Sequence, residues 1–258
     1  MRDPGLDEAI HAAGGVTELA RRIGIAQPSV SNWDRVPTDR VIAVESATGV
    51  PRIRLRPDLY GDSGAGGDGD TIDAERARYY ELLATLLSRA PSKALLARLA
   101  QLRGTATPFG VAVAALGEAA LDADVARIER EYFDLFIGLG RGELLPYASY
   151  YLTGFLNERP LSRLRGDLSA LGIERDADNH EPEDHAATLC EIMAGLILGR
   201  FGAPKDSQRE LFAKHVAPWM GRLFADIERA EGAQFYRHVG TLGRMFLDVE
   251  AEAFTLAD

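Results

Sequence analysis

One cysteine in 258 residues, Cys190, is too few for an internal disulfide framework or a cysteine-rich zinc site, and it fits a reducing compartment. Long apolar runs are also missing. Met193-Ala-Gly-Leu-Ile-Leu198 is among the longest and falls far short of a bilayer span. The opening Met1-Arg-Asp-Pro-Gly-Leu-Asp-Glu8 carries no apolar export core, so a soluble, cytoplasmic chain with no membrane partner is expected. Alternating β-branched runs flanked by Asn-Gly or Asp-Gly turns are absent, which argues against a sheet. There is no serine elbow, cysteine–histidine signature or Walker phosphate loop. The His-Glu-x-x-His zinc motif needs histidines four apart, whereas His180 and His185 are five apart with Pro182 between them. No catalytic residue, metal site or cofactor is assigned, and the chain is read as a non-enzyme.

What is present is an ordinary globular balance, 46% hydrophobic and 26% charged, which excludes wholesale disorder. The 29 Lys and Arg against 39 Asp and Glu give a net charge of −10. That charge is unevenly placed: residues 1–60 hold 8 basic and 8 acidic side chains, and the remainder 21 and 31. The break falls at Gly61-Asp-Ser-Gly-Ala-Gly-Gly-Asp-Gly-Asp70, five glycines and three aspartates with no large apolar residue. Such a stretch buries too little to offset chain entropy and reads as a linker. Two all-α domains are therefore expected, residues 1–60 and 71–258. There is no solenoid-type repeat.

Beyond the linker, apolar residues recur at helical spacing. Thr71 is placed as the cap of a helix bearing Ala77, Tyr80, Leu83, Ala84 and Leu87. Pro91-Ser92 restarts the chain into Leu95, Leu99 and Leu102. Asp122 is expected to open a helix with Val125, Ile128, Tyr132, Leu135 and Phe136, and Ser207 to cap Leu211–His215. Pro218 begins a segment with Trp219, Leu223, Phe224 and Ile227. Phe235 to Phe254 forms the last amphipathic stretch.

The first domain contains Gly15-Val-Thr-Glu-Leu-Ala-Arg-Arg-Ile-Gly-Ile-Ala-Gln-Pro-Ser-Val-Ser-Asn-Trp33. Small Ala20 permits close helix approach, Gly24 a left-handed turn, and Val30 packs a second helix inward. That helix starts near Ala26 or Gln27 with Pro28 in its first turn. Its outer row, Gln27, Ser29, Ser31 and Asn32, suits base edges or phosphates, with Arg21, Arg22, Arg35 and Arg40 near the backbone. The pair Arg21-Arg22 has no apolar core after it and is not read as an export signal. Residues 5–60 resemble the YdaS-type, Cro-like helix-turn-helix family, through Val36-Pro-Thr-Asp-Arg-Val-Ile-Ala-Val-Glu-Ser-Ala-Thr-Gly49 and Leu55-Arg-Pro-Asp-Leu-Tyr60. The resemblance implies binding to double-stranded DNA, as a homodimer across a palindrome. A net charge of zero leaves open a helical module kept for protein contacts, because affinity for DNA rests on cations near phosphates.

In the second domain, Pro182 is placed at a first helical position, with Glu183 and Asp184 where the helix dipole favours anions. The following Leu189–Leu198 is apolar nearly all round, a central buried helix with Cys190 as inert packing. Three clusters lie in sequence: Glu129–Gly138, holding Tyr132-Phe-Asp-Leu-Phe136, with Leu144–Tyr151, holding Pro146-Tyr-Ala-Ser-Tyr150; then Asn179–Met193, holding Glu181-Pro-Glu-Asp-His185; then Phe212–Trp219, holding His215 and Pro218-Trp219, with Phe235-Tyr236 downstream. Together, over about residues 75–252, they resemble the TorD/DmsD/NarJ family of redox-enzyme maturation chaperones, most specifically in the Glu-Pro-x-Asp-His motif. The resemblance implies an all-helical, non-catalytic chaperone. It would bind the twin-arginine leader, and the body, of a molybdopterin oxidoreductase before export. By that resemblance Asp184 and His185 line the peptide site and Glu181 and Pro182 shape it. Tyr147, Tyr150 and Tyr151 supply an aromatic rim. For Asp184 and His185 the structural alternatives are a helix-start charge and a satisfied core histidine. Leu135, Phe136, Phe212 and Trp219 read first as core. A competing function is a transcriptional regulator whose second domain senses a ligand or dimerises.

Overall fold

The computed structural model describes residues 3–57, 68–174 and 181–256, and every regular element within them is helical. Backbone proximity divides the chain into Met1–Thr71 and Ile72–Asp258. Residues 58–67, most of the glycine-rich stretch, lie outside the described residues. Asp68–Thr71 are already helical, so the helix begins ahead of Thr71, which is not its cap.

The first unit comprises α1 (Pro4–Ala13), α2 (Val16–Arg22), α3 (Gln27–Ser31), a 3₁₀ turn at Thr38–Arg40, α4 (Val41–Thr48) and α5 (Arg52–Leu55). Asp3 caps α1 by accepting the Gly5 N–H at 3.0 Å. Gly24 adopts φ of 71° between α2 and α3, where a Cβ would be strained. Ala26 precedes α3 and Pro28 sits in its first turn, where no amide partner is lost. Leu6, Leu19, Ala20, Val30, Val36, Val41, Val44 and Leu55 close the core.

The second unit continues with α6 (Asp68–Ser88), α7 (Lys93–Leu99), α8 (Pro108–Leu121), α9 (Val125–Tyr132), α10 (Ala148–Thr153), α11 (Arg159–Ala170) and α12 (Ala186–Ile197). It ends with α13 (Ser207–Leu211), α14 (Met220–Arg229) and α15 (Phe235–Leu256). The spaced apolar residues of α6, from Ala77 to Leu87, are all buried. Ser92 caps α7 through the Leu95 N–H. Two expected starts shift. Asp124, not Asp122, caps α9, and Asp206, not Ser207, precedes α13. Both α9 and α13 run on into π-helical turns, Phe133–Ile137 and Phe212–Val216. The long α15 lies against α8 and α14. A Cβ at Gly240 would meet the α14 backbone at Phe224 and Glu228, so glycine sets how closely these two helices approach. Leu135, Phe136, Phe212, Trp219 and Cys190 are buried in the one core of this unit, as packing residues. Burial pushes the Cys190 thiol well above its ordinary pKa, which keeps it protonated and unreactive.

Candidate functional site

The segment Glu181–His185 lies antiparallel to Pro146–Ala148. The Ala148 N–H donates to the Asp184 carbonyl at 3.0 Å, the Ala186 N–H donates to the Pro146 carbonyl at 2.8 Å, and Tyr147 and His185 form an isolated antiparallel bridge. Pro182 is not a first helical residue. Its carbonyl accepts the His185 N–H at 3.0 Å in a turn, and α12 starts at Ala186 with His185 as its cap.

Each charged residue of the motif has a separate task. Asp184 is 1% exposed, and its Oδ2 accepts the Ser149 N–H at 2.8 Å, so it holds the start of α10 rather than the helix it precedes in sequence. Its Oδ1 and Ser149 Oγ are buried without a hydrogen-bond partner among the described residues, which leaves acceptor capacity inside the fold. His185 caps α12: Nδ1 accepts the Ala187 N–H at 3.1 Å, so the neutral ring carries its proton on Nε2. Burial lowers the His185 pKa, against the opposing pull of Glu181 and Asp184. The Tyr147 ring stands edge-on to His185 with centroids 5.0 Å apart, and its hydroxyl donates to Glu181 Oε1 at 2.8 Å. Burial and then Glu181 push that hydroxyl's pKa up. Glu183 accepts both Nε and Nη2 of Arg165 on α11, at 2.9 and 2.8 Å.

Tyr150 and Tyr151 lie on α10 beside this segment. Arg141 Nη2 donates to the Tyr150 hydroxyl at 2.7 Å and stands 5.2 Å from the ring centroid. Tyr151 donates to Asp226 at 2.9 Å and packs on Trp219 with centroids 5.4 Å apart. His215 belongs elsewhere. It pairs with Asp167 at 2.7 Å, not with Asp184, and its carbonyl accepts the Trp219 indole N–H. With Ala148, Leu152, Pro160 and Arg163 these two residues line a cleft of about 500 Å³. Thus Tyr147, Glu181, Asp184 and His185 are brought together, and the third cluster reaches α10 from another side, through Trp219 on Tyr151 and His215 in the cleft beside Ala148 and Leu152. No group of ligand residues suited to a metal occurs among the described residues, and His180 lies outside them.

Sequence reading gave no role to Glu131, Arg141 or Arg165. Glu131 accepts the N–H groups of Gln234, Phe235 and Tyr236 at 2.7–3.2 Å, capping α15 from more than 100 residues away. Only an alignment of partners in space reveals such a pairing.

In the first unit Gln27, Ser29 and Asn32 are exposed and Ser31 is half-buried, with Gln27 Nε2 donating to Ser31 Oγ at 2.8 Å. Arg21 and Arg22 both pair with Glu18, at 2.6 and 3.3 Å, and Arg22 also donates to the Ala47 carbonyl. These hydrogen bonds hold the Glu18 carboxyl at a pKa of about 2.

Residues 103–225 match the family model of the nitrate reductase delta subunit, and residues 6–63 that of the bacterial toxin YdaS. "Chaperone protein TorD" of Vibrio cholerae serotype O1 is 30% identical over 99 residues, covering 35% of this chain and 45% of that protein. The TorD chaperone of Shewanella loihica is 23% identical over 209 residues, covering 72% of this chain and 96% of that protein. A crystal structure described as a redox enzyme maturation protein from Archaeoglobus fulgidus gives a TM-score of 0.43 at 18% identity, covering 67% of this chain and 93% of that one. The chain spans about half the length, 45%, of the Vibrio cholerae relative. The second unit is TorD-like, and the first is a YdaS-like helix-turn-helix module. No described helix is long and apolar enough to cross a membrane.

Proposed function

We propose that this chain is a non-catalytic, cytoplasmic maturation chaperone for a molybdopterin oxidoreductase, binding its twin-arginine leader and its body before export. The reading is carried by one observation: in a TorD-like unit, the Glu181–His185 motif is pinned against Pro146–Ser149, setting carboxylates beside tyrosines. A guanidinium is recognised by carboxylates in fork geometry and by aromatic faces, and an apolar leader needs an adjoining non-polar surface. Leu152, Phe155 and Leu156, all exposed, follow Tyr151 directly and supply that surface. Asp184 and His185 act here as positioning residues: they fix the two helix starts that present Tyr147, Tyr150 and Glu181. Calorimetry with twin-arginine leaders of molybdenum oxidoreductases tests the reading. Saturable binding that Asp184→Ala and His185→Ala weaken, at unchanged helical content, is expected. No heat with any leader at low salt sinks it.

The first unit serves, in the same proposal, as a DNA-binding module that ties the chaperone to gene regulation, as a homodimer on a palindrome. Its support is the exposed row Gln27, Ser29 and Asn32 on α3. A footprint that relaxes in Gln27→Ala and Asn32→Ala is the expected result, each base contact being worth about 1–3 kcal/mol.

A further inference from the structure

We infer that Glu183 is a guanidinium subsite for the client leader and that Arg165 of the same chain occupies it as a displaceable placeholder. The inference rests on the leader-binding proposal and names where one leader arginine goes. The Glu183 side chain is 13% exposed, whereas Arg165, reaching it from α11, is 52% exposed. A sheltered carboxylate holds a guanidinium well, because the charge-assisted hydrogen bonds compete with little water. A half-solvated guanidinium gives up its place at low cost, because it regains its hydration on leaving. An incoming arginine then exchanges with Arg165 at Glu183 Oε2, the oxygen that receives both Nε and Nη2 of Arg165.

The arrangement recurs one step away. Arg141 donates to the Tyr150 hydroxyl and lies over its ring, and Arg141 is itself exposed. Glu183 belongs to one of the two segments that the Tyr147–His185 bridge holds side by side, and Tyr150 to α10, the helix that the other segment enters at Ala148. Two guanidinium positions on paired segments suit a ligand bearing two adjacent arginines. The second unit is strongly acidic, and here it covers recognition groups with its own cations. Glu183 and Tyr150 are thereby kept from weakly basic passers-by, while a paired-arginine leader wins by displacing both.

The test uses the full chain and a synthetic leader peptide with two adjacent arginines, beside its double-lysine version. Arg165→Ala is expected to tighten the arginine peptide roughly two- to sixfold, the gain from removing a competitor of exposed-pair strength. Arg163→Ala removes the same charge from the same helix and is the control, expected to leave the affinity near wild type. Adding Glu183→Gln to Arg165→Ala abolishes the gain, and the double-lysine peptide gains less, having no fork. Equal tightening in Arg163→Ala and Arg165→Ala, with wild type binding normally, overturns the placeholder and leaves leader binding standing. If wild type and both variants ignore the peptide, leader binding itself is overturned and the subsite falls with it. Normal binding by wild type with no tightening in Arg165→Ala likewise overturns the placeholder and leaves leader binding standing.

Discussion

The two units use their charges in opposite ways. In the helix-turn-helix unit, acid and base meet on the surface: Glu18 with Arg21 and Arg22, Glu45 with Arg52, Glu8 with Arg54. Several of these pairs are local, and all are solvated enough to be worth little to stability. In the TorD-like unit, key carboxylates are buried and act at long range. Asp184 holds the start of α10, Glu131 caps α15, and Glu250 takes a bidentate Arg76 and the Tyr80 hydroxyl, joining the first and last helices of the unit. Excess acid in a sequence therefore does not by itself describe a binding surface. Part of it here is internal scaffolding, whereas Glu181 and Glu183 stay near the surface.

That contrast is most exposed to failure at Glu250, which is 1% exposed. Glu250→Ala leaves Arg76 half-paired in the interior and is expected to cost about 3–5 kcal/mol in urea unfolding of the full chain. A loss under about 1 kcal/mol would mean that the pair is as dispensable as a surface one. Glu131→Ala strands three amides of α15 and is expected to cost about 2–3 kcal/mol, with Glu131→Gln recovering part of it. A smaller effect is expected from pH. The folded pKa of His185 is depressed by burial, so its contribution is complete above the ordinary imidazole value of 6.5 and is lost as pH falls below it through the folded value. Unfolding midpoints measured from about pH 5 to 7 should show a slope that His185→Gln flattens; an unchanged slope would remove His185 from that role. Least of all, Glu18→Gln should leave the unfolding midpoint where it is. It should nonetheless strengthen retention on double-stranded DNA at low salt, because Arg21 and Arg22 lose their internal anion. Since the Glu18 pKa is about 2, acid down to about pH 3 should not mimic the substitution.

Much of this was legible in the sequence, for a physical reason. Helical periodicity is a local property, and Ala77, Tyr80, Leu83, Ala84 and Leu87 face inward as their spacing requires. Pro28 after Ala26 marks the start of α3 because proline's missing N–H is harmless there. Helix starts were less legible when two candidate caps stood close together. Asp122 and Asp124 are both good caps by type, but Asp122 is the residue that ends α8, and Asp124 accepts the Arg127 N–H. The Glu-Pro-x-Asp-His motif could be read, but not the direction of its charges. Asp184 looks like an anion for the helix it precedes, yet its carboxylate serves α10, 35 residues earlier.

Sequence alone therefore determined the helical class, the two-part division of charge and the carboxylates and tyrosines gathered in the motif clusters. These follow from side-chain spacing and composition, which no neighbour can alter. Only the tertiary structure decided which acids are buried supports and which stand near solvent, and that Arg141 lies on Tyr150 and Arg165 on Glu183. Burial and pairing depend on what the chain brings across from distant positions, and a carboxylate carries no mark of its partner until the helices pack.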